Sequence, residues 1–222
     1  QELPALLEDV PQAVPLGEAA FGNAPEAVNL WIGDGRAVSS CHKDHYENLY
    51  AVVRGEKVFT LLPPSAAPFL HETRCPPARY ARRPPQPGGG PAGFEVVLDE
   101  ETTPVPWIPV DVAKPDLARF PKFAAAAGCC VEVRVRRGEM LYLPAMWYHR
   151  VAQEGVTIAV NYWHDMQFGQ LYVHAQLARD LAGLDESDCE DDEDEGAAAS
   201  QGEPGAPDGR GAAEAALGCE AK

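Results

Sequence analysis

The sequence contains no uninterrupted apolar run of 18 residues, no Cys-x-x-Cys pair and no excess of basic residues. Without such a run there is no segment typical of a membrane-spanning helix, and no signal peptide is recognisable. The six cysteines lack the spacing of a zinc ribbon or of a secreted disulfide framework. We therefore expect reduced thiols in an intracellular protein that has no membrane partner.

Acidic residues outnumber basic residues 34 to 18, and much of this excess lies near the C-terminus. Thirteen acids and two bases follow Leu184, so the first 184 residues hold 21 acids and 16 bases. This mildly acidic body has no basic footprint for nucleic acid. The run DESDCEDDEDE and the Ala/Gly/Pro-rich stretch after it cannot bury apolar surface. Residues 185–222 are therefore predicted to form a disordered acidic tail, with a solvated tail favoured over an interaction tail.

The texture of the sequence changes after an irregular approach segment at residues 1–27. From 28 to 184, short stretches of β-branched and aromatic residues alternate with Gly and Pro, which is typical of an all-β domain. Hairpin turns are predicted at 54–55 and 153–155, and another turn at 137–138. The Pro/Gly-rich residues 75–93 are predicted to form a flexible loop, and 168–184 a C-terminal helix. The candidate strands are 28–32, 36–42, 48–53, 57–62, 94–98, 129–135, 139–143, 149–153 and 156–163.

Three residues have the chemistry of a metal site. His42 ends a predicted strand and Asp44 follows two residues later; on a strand, side chains at i and i+2 share a face and can bind one ion. Such a pair alone is more often a surface contact, but His149 on a later strand adds a second imidazole. Two histidines and one carboxylate form a facial triad, which leaves open positions for a bidentate co-substrate and O2 and suits Fe(II).

Further polar residues fit a co-substrate pocket. Lys57 lies in an apolar strand, where an inward-facing ammonium is costly unless it is paired with an anion. The carboxylate of 2-oxoglutarate would be that anion. Ser39, Asn48 and Asn161 occupy strand positions from which small polar side chains can hydrogen-bond the same co-substrate. Cys41 is expected to face the opposite way, as a small hydrophobe in the core.

At this point a family resemblance is recognisable over residues 3–184. The chain resembles the small JmjC hydroxylases, which are Fe(II)- and 2-oxoglutarate-dependent oxygenases, and most of all their (3S)-lysyl hydroxylase branch. The resemblance implies a double-stranded β-helix of the jelly-roll or cupin type at 28–184. Because the family has a further segment before the position of Gln1, it also implies an N-terminally truncated chain. The matching segments are SSCHKDHYENLYAVVRGEKVFTLLPPS, VPWIPVDVAKPDLARFPKF, RRGEMLYLPAMWYHRV and IAVNYWHDM.

The resemblance implies a role for each residue of this set. Ser39 stands where the family usually has Thr, so the hydroxyl donor is kept. His164 stands where the family has Tyr. The implied iron ligands are His42, Asp44 and His149, the implied partner of the distal 2-oxoglutarate carboxylate is Lys57, and the implied pocket residues are Ser39, Asn48 and Asn161.

The function implied by the resemblance is hydroxylation of a lysine side chain at carbon three. The implied substrate is a developmentally regulated GTP-binding protein, the implied location is the cytoplasm and nucleus, and helix 168–184 suits a homodimer contact. Histone lysine demethylation, histone-tail endopeptidase activity and a catalytically dead cupin-like binding module remain alternatives. Zinc hydrolysis is disfavoured, because zinc prefers His-rich tetrahedral sites in which Lys57 has no role.

Overall fold

The computed structural model describes residues 4–83, 93–99 and 102–184. Within these residues the chain forms ten strands, two α-helices and four 3₁₀ helices. The strands are β1 Ala27–Gly33, β2 Ser39–His42, β3 Tyr46–Leu62, β4 Thr73–Cys75, β5 Ala78–Arg82, β6 Phe94–Leu98, β7 Val105–Trp107, β8 Val131–Arg136, β9 Met140–Leu143 and β10 Tyr148–Asp165. The helices are α1 Pro15–Phe21 and α2 Gln170–Leu181, and the 3₁₀ helices are Pro4–Glu8, Pro64–Phe69, Pro121–Ala125 and Ala127–Cys129. The predicted acidic tail at 185–222 lies outside the described residues.

Two long strands form the centre of the main sheet. β3 has 17 residues and β10 has 18, and they pair antiparallel from Tyr46 opposite Asp165 to Leu62 opposite Tyr148. β1 and β2 pair with β10, while β8 and β9 pair with successive halves of β3. Paired strands that wind together in this way form a double-stranded β-helix. The all-β core and the C-terminal helix predicted from the sequence are confirmed.

The predicted hairpin turns at 54–55 and 153–155 are wrong, because β3 and β10 both continue through these positions. Gly55 and Gly155 have φ values of 78° and 66°, and the register of the pair shifts between Glu154 and Ile158. A Cβ on Gly55 would lie 2.5 Å from Thr157 Oγ1, so this position requires glycine on steric as well as conformational grounds. Both strands therefore bend here without reversing. The turn predicted at 137–138 is confirmed between β8 and β9.

Two segments predicted to be irregular contain regular structure. Within the predicted loop at 75–93, β5 pairs with β6, so the loop prediction is wrong for Ala78–Arg82. Residues 84–92 lie outside the described residues. The approach segment contains α1, whose Gly17 is buried where a Cβ would meet Leu49 and His164 within 3 Å. This close packing seats α1 on the outer face of the main sheet.

The core is divided by the main sheet. One cluster contains Cys41, Leu62, Phe123 and Tyr148, which confirms the predicted core position of Cys41. A second cluster, which includes Tyr50 and Phe59, fills the inner face of β3 and forms the floor of the pocket described below. Among the described residues, no helix combines the length and apolar character needed to cross a membrane.

Candidate metal centre

His42, Asp44 and His149 meet at the end of β2, where β2 pairs with β10. His42 is the last residue of β2 and lies opposite His149 in the antiparallel register. Asp44 lies beyond the end of β2, as it does beyond the predicted strand 36–42, and its carboxylate reaches the two imidazoles. A backbone hydrogen bond of 2.8 Å from Met146 N to Asp44 O holds this segment. One ligand atom from each residue can be chosen so that all three lie within 4.8 Å of one another.

Both imidazoles present the same nitrogen to Asp44. His42 Nδ1 lies 2.7 Å from Ser40 O and His149 Nδ1 lies 3.0 Å from Trp147 O. Because a carbonyl oxygen only accepts, each Nδ1 carries the proton and each Nε2 keeps its lone pair. These Nε2 atoms lie 3.8 Å and 3.6 Å from Asp44 Oδ2. The two carbonyls therefore orient the histidines as metal ligands, a common supporting arrangement in metal sites.

Burial keeps His149 in the form that binds a metal. The residue is 4% exposed, and its ring centroid lies 4.2 Å from that of His42. Burial, reinforced by His42, lowers the pKa of His149 because the charged imidazolium is poorly solvated there. A neutral imidazole and an anionic carboxylate form a donor set that fits Fe(II) as a facial triad.

The structure brings all seven predicted site residues to one pocket. Its polar lining consists of the three candidate ligands, the buried ammonium of Lys57 and three small polar side chains, while aromatic and aliphatic residues form the remaining walls. The predicted residues that line it are Ser39, His42, Asp44, Asn48, Lys57, His149 and Asn161, and the other lining residues are Trp31, Tyr50, Phe59, Leu143, Val151 and Trp163. The roles assigned to the seven residues stay predictions, but their convergence is a property of the fold.

A chain of three side chains fixes the orientation of the pocket amides. Trp31 Nε1 donates to Asn161 Oδ1 at 2.9 Å, and Asn161 Nδ2 donates to Asn48 Oδ1 at 3.2 Å. An indole N–H can only donate, so the order of donors and acceptors along the chain is determined. Asn48 Nδ2 is thereby left as the donor end, which suits an anionic or carbonyl ligand in the pocket.

Lys57 is the buried cation of the pocket. The residue is 7% exposed, and its ammonium donates a hydrogen bond to Gln153 Oε1, directly across the β3–β10 pair. Burial lowers the pKa of Lys57 to about 8. Within the described ranges, no carboxylate forms an ion pair with this ammonium. A cation held by a neutral amide leaves charge for an anionic ligand.

Sequence reasoning missed the role of Gln153, which bonds to Lys57, and of Trp31, which lines the pocket. Gln153 was assigned to a hairpin turn, and nothing local marked it as the partner of Lys57. Trp31 lies in a strand that was predicted correctly, and its alternation with neighbouring residues could have placed it on the pocket side. The other histidine close to the ligands, His45, packs instead against Phe168 and Tyr172 near the start of α2.

Comparison with known proteins agrees with this geometry. A family model described as a cupin-like domain matches residues 1–170. The chain is 47% identical over 187 residues to the Bifunctional peptidase and (3S)-lysyl hydroxylase JMJD7 of Homo sapiens, which covers 83% of this chain and 57% of that protein. It is 43% identical to the Lysine-specific demethylase JMJ32 of Arabidopsis thaliana, over 73% of this chain and 48% of that protein. It is 38% identical to JmjC domain-containing protein E of Dictyostelium discoideum, over 81% of this chain and 54% of that protein. The chain spans about half the length of these curated relatives.

Proposed function

The chain belongs to the cupin-like JmjC oxygenase family, and on this premise we propose that it is a dioxygenase that hydroxylates a lysine side chain in a protein. The observation that carries the proposal is the convergence of His42, Asp44 and His149 with Lys57 in one pocket. Fe(II) bound by the three ligands would supply the oxidising chemistry, with 2-oxoglutarate and O2 as co-substrates. One oxygen atom would enter a substrate C–H bond, and the other would enter succinate as 2-oxoglutarate loses CO2.

The protein side chains hold and orient the reactants. Lys57 would bind the distal carboxylate of 2-oxoglutarate, because it is a buried ammonium with a neutral partner. Asn48 Nδ2 would donate to the same co-substrate from the end of the amide chain. The apolar walls formed by Tyr50, Phe59 and Leu143 limit access of water to the reacting centre.

The aromatic pair Tyr46 and Trp163 supports a cationic substrate side chain, and Trp163 lines the pocket. Tyr46 stacks on the pocket residue Trp163 with ring centroids 4.8 Å apart and an interplanar angle of 2°. Burial, then a hydrogen bond with Glu26 and the nearby charges of Asp165 and Asp44, raise the pKa of Tyr46. Aromatic faces beside carboxylates favour an ammonium group such as that of lysine. On the family premise, the proposed substrate is a lysine-bearing GTP-binding protein. The homodimer contact and the cytoplasmic and nuclear location stay predictions.

Lysine demethylation is a second candidate within the same chemistry. The similarity to a protein named as a lysine-specific demethylase favours it as an alternative, and the name of the human relative adds peptidase activity. Mass spectrometry of a protein that contains both unmodified and N-methylated lysines, after incubation, distinguishes the three reactions. Hydroxylation adds one oxygen atom to an intact chain, demethylation removes a methyl group, and a peptidase cleaves the backbone. A binding module would leave the protein unchanged.

Anaerobic addition of Fe(II) and 2-oxoglutarate is the experiment that tests the proposed site. We expect a metal-to-ligand charge-transfer band with the native chain and its loss in His149→Ala, since this variant lacks one ligand of the facial triad. Absorbance spectra recorded before and after addition of the co-substrate measure the band. A native chain without the band, at metal and co-substrate concentrations that saturate related oxygenases, would contradict the proposal and favour a binding module.

The pH dependence of 2-oxoglutarate binding and turnover is expected to follow the protonation of Lys57. Burial lowers the pKa of Lys57 to about 8, so the ammonium is present below that pH and is lost as the pH rises through it. We therefore expect kcat/KM for 2-oxoglutarate to fall above pH 8, because this parameter reports groups of the free enzyme. Lys57→Arg, which keeps its charge to high pH, is the control and should lack this alkaline decline. An unchanged decline in that variant would assign it to another group.

A further inference from the structure

We propose that Gln153 is a positioning residue that holds the Lys57 ammonium in the pocket without neutralising it, and so makes the pocket selective for a co-substrate with a distal carboxylate. The inference rests on the proposed function, since the anion concerned is 2-oxoglutarate. It assigns to Gln153 a task that neither the local sequence nor the ligand triad indicates.

Both ends of the Gln153 amide are engaged. Gln153 is 5% exposed, its Nε2 donates to Asp34 O at 2.6 Å, and its Oε1 accepts from Lys57 Nζ. Because the Asp34 carbonyl can only accept, it selects the amide orientation in which Oε1 faces Lys57. The Asp34 carbonyl, which accepts this hydrogen bond, thus lies just after β1, on the opposite side of Gln153 from β3. The Lys57 ammonium is therefore oriented by the Gln153 side chain, which belongs to β10 and is held by the segment after β1.

The neutrality of Gln153 matters as much as its position. An ammonium has three N–H donors, and the described residues accept one of them, through Gln153. A carboxylate in the same place would form a buried ion pair and satisfy the charge internally. An apolar residue would leave the ammonium without a fixed direction. An amide orients Lys57 and leaves its full charge for the ligand.

Gly33 at the end of β1 provides the space that this arrangement needs. A Cβ on Gly33 would lie 2.5 Å from Gln153 Nε2 and 3.1 Å from the Cβ of Ala37. The first separation is shorter than real Cβ contacts allow, so an alanine would displace the Gln153 amide. The Gly33→Ala change therefore disturbs the position of Gln153 while leaving its charge and Lys57 itself unaltered.

The test is the binding of 2-oxoglutarate to the Fe(II)-loaded full chain, titrated anaerobically on the charge-transfer band. We expect Gln153→Glu to weaken the binding of 2-oxoglutarate about 10- to 100-fold, because the distal carboxylate loses a charge-assisted contact with Lys57. Binding of 2-oxopentanoate, which lacks the distal carboxylate, should change much less, so the preference for 2-oxoglutarate collapses. Fe(II) affinity should stay unchanged, since the three ligands are untouched. Gln12→Glu makes the same substitution at an exposed position and should match the native chain.

Each outcome decides the inference. Equal 2-oxoglutarate binding by Gln153→Glu and the native chain would overturn it, as would a parallel loss for 2-oxopentanoate, which would indicate a general structural defect. If circular dichroism shows that Gln153→Glu does not fold, Gly33→Ala decides, with weaker 2-oxoglutarate binding expected and unchanged binding refuting the inference. A native chain that binds Fe(II) but not 2-oxoglutarate would overturn the proposed function itself, and the inference with it.

Discussion

Replacing Asp44 by alanine is expected to weaken the binding of a divalent metal by at least about 100-fold, since losses of 10- to 100-fold follow even from mutating groups that only support a ligand. Asp44 is the only anion of the candidate triad, because both histidines carry their proton on Nδ1 and bind as neutral groups. Its removal takes away one coordination bond and all the negative charge of the protein ligands. The affinity can be measured by anaerobic titration with Fe(II).

The same substitution is not expected to destabilise the metal-free fold. In that state, the Asp44 carboxylate faces two imidazole lone pairs at 3.8 Å and 3.6 Å, and regions of like sign repel. The hydrogen bond from Met146 N is to the backbone oxygen of Asp44 and survives the change. Asp44→Ala should therefore keep or raise the metal-free Tm while losing the rise in Tm that a bound metal gives.

Asp9→Ala is the matched control, because it removes an exposed carboxylate far from the pocket in sequence. We expect this control to keep both the metal-free Tm and its rise with Fe(II). If Asp44→Ala retained the metal-induced rise, Asp44 would not be a ligand. A metal-free Tm several degrees below that of the native chain would instead assign Asp44 a structural role.

The ligand triad could be predicted from the sequence because its chemistry is local. His42 and Asp44 are two residues apart, so a pair of residue types that suits one metal ion can be recognised without knowing the fold. His149 could be added because an apolar, aromatic context placed it on a strand. The exact placement of the Asp44 carboxylate beside the two imidazoles could not be predicted. That placement depends on the Met146 backbone contact, about 100 residues away in the chain.

The bends of β3 and β10 show why a local signal was misread. Glycine favours positive φ, and a turn between predicted strands is the usual reason for that conformation. At Gly55 and Gly155 the conformation is present, but the chain does not reverse. Whether it reverses is decided by partners in distant strands, since β3 and β10 remain paired on both sides of the bend. A single sequence contains no information on that register.

Gln153 escaped prediction for the same physical reason. Its significance comes from lying opposite Lys57, a contact between residues 96 apart, and from the Asp34 carbonyl, 119 residues away. Lys57 itself was identifiable, because a lysine in an apolar strand demands an anion wherever its neighbours lie. The need for a counter-charge can be predicted from the strand that contains Lys57. The residue that positions the charge can be identified only when the placement of β3, β10 and the end of β1 is known.

Replacing Arg179 by methionine is expected to lower the free energy of unfolding by about 3–5 kcal/mol, the range measured when one partner of a buried ion pair is removed. Arg179 in α2 is 6% exposed and binds both carboxylate oxygens of Glu72, at 2.9 Å and 2.5 Å. The side chain of Glu72 is 9% exposed. Methionine keeps much of the packing volume but leaves this carboxylate buried without its partner. Urea denaturation measures the change.

The pH dependence of this loss identifies its cause. Burial alone would raise the pKa of Glu72, but Arg179, together with Lys43 and Arg74, lowers it below its ordinary value of 4.5. A depressed pKa contributes stability above the unfolded value that is lost as the pH falls through the folded value. The difference between the native chain and Arg179→Met should therefore be largest near neutral pH and should shrink below pH 4.5. A difference independent of pH would indicate lost packing instead.

The double variant Arg179→Met with Glu72→Leu separates the two contributions. It removes the uncompensated carboxylate as well as its partner, so it should recover most of the lost stability, as apolar replacements of buried ion pairs commonly do. Its metal affinity carries further information, because Arg179 also donates to the hydroxyl of Tyr148 at 3.3 Å, and Tyr148 precedes the candidate ligand His149. A double variant that folds like the native chain but binds Fe(II) more weakly would show that α2 helps to hold the metal site in place. Equal affinity would confine the pair to a structural role.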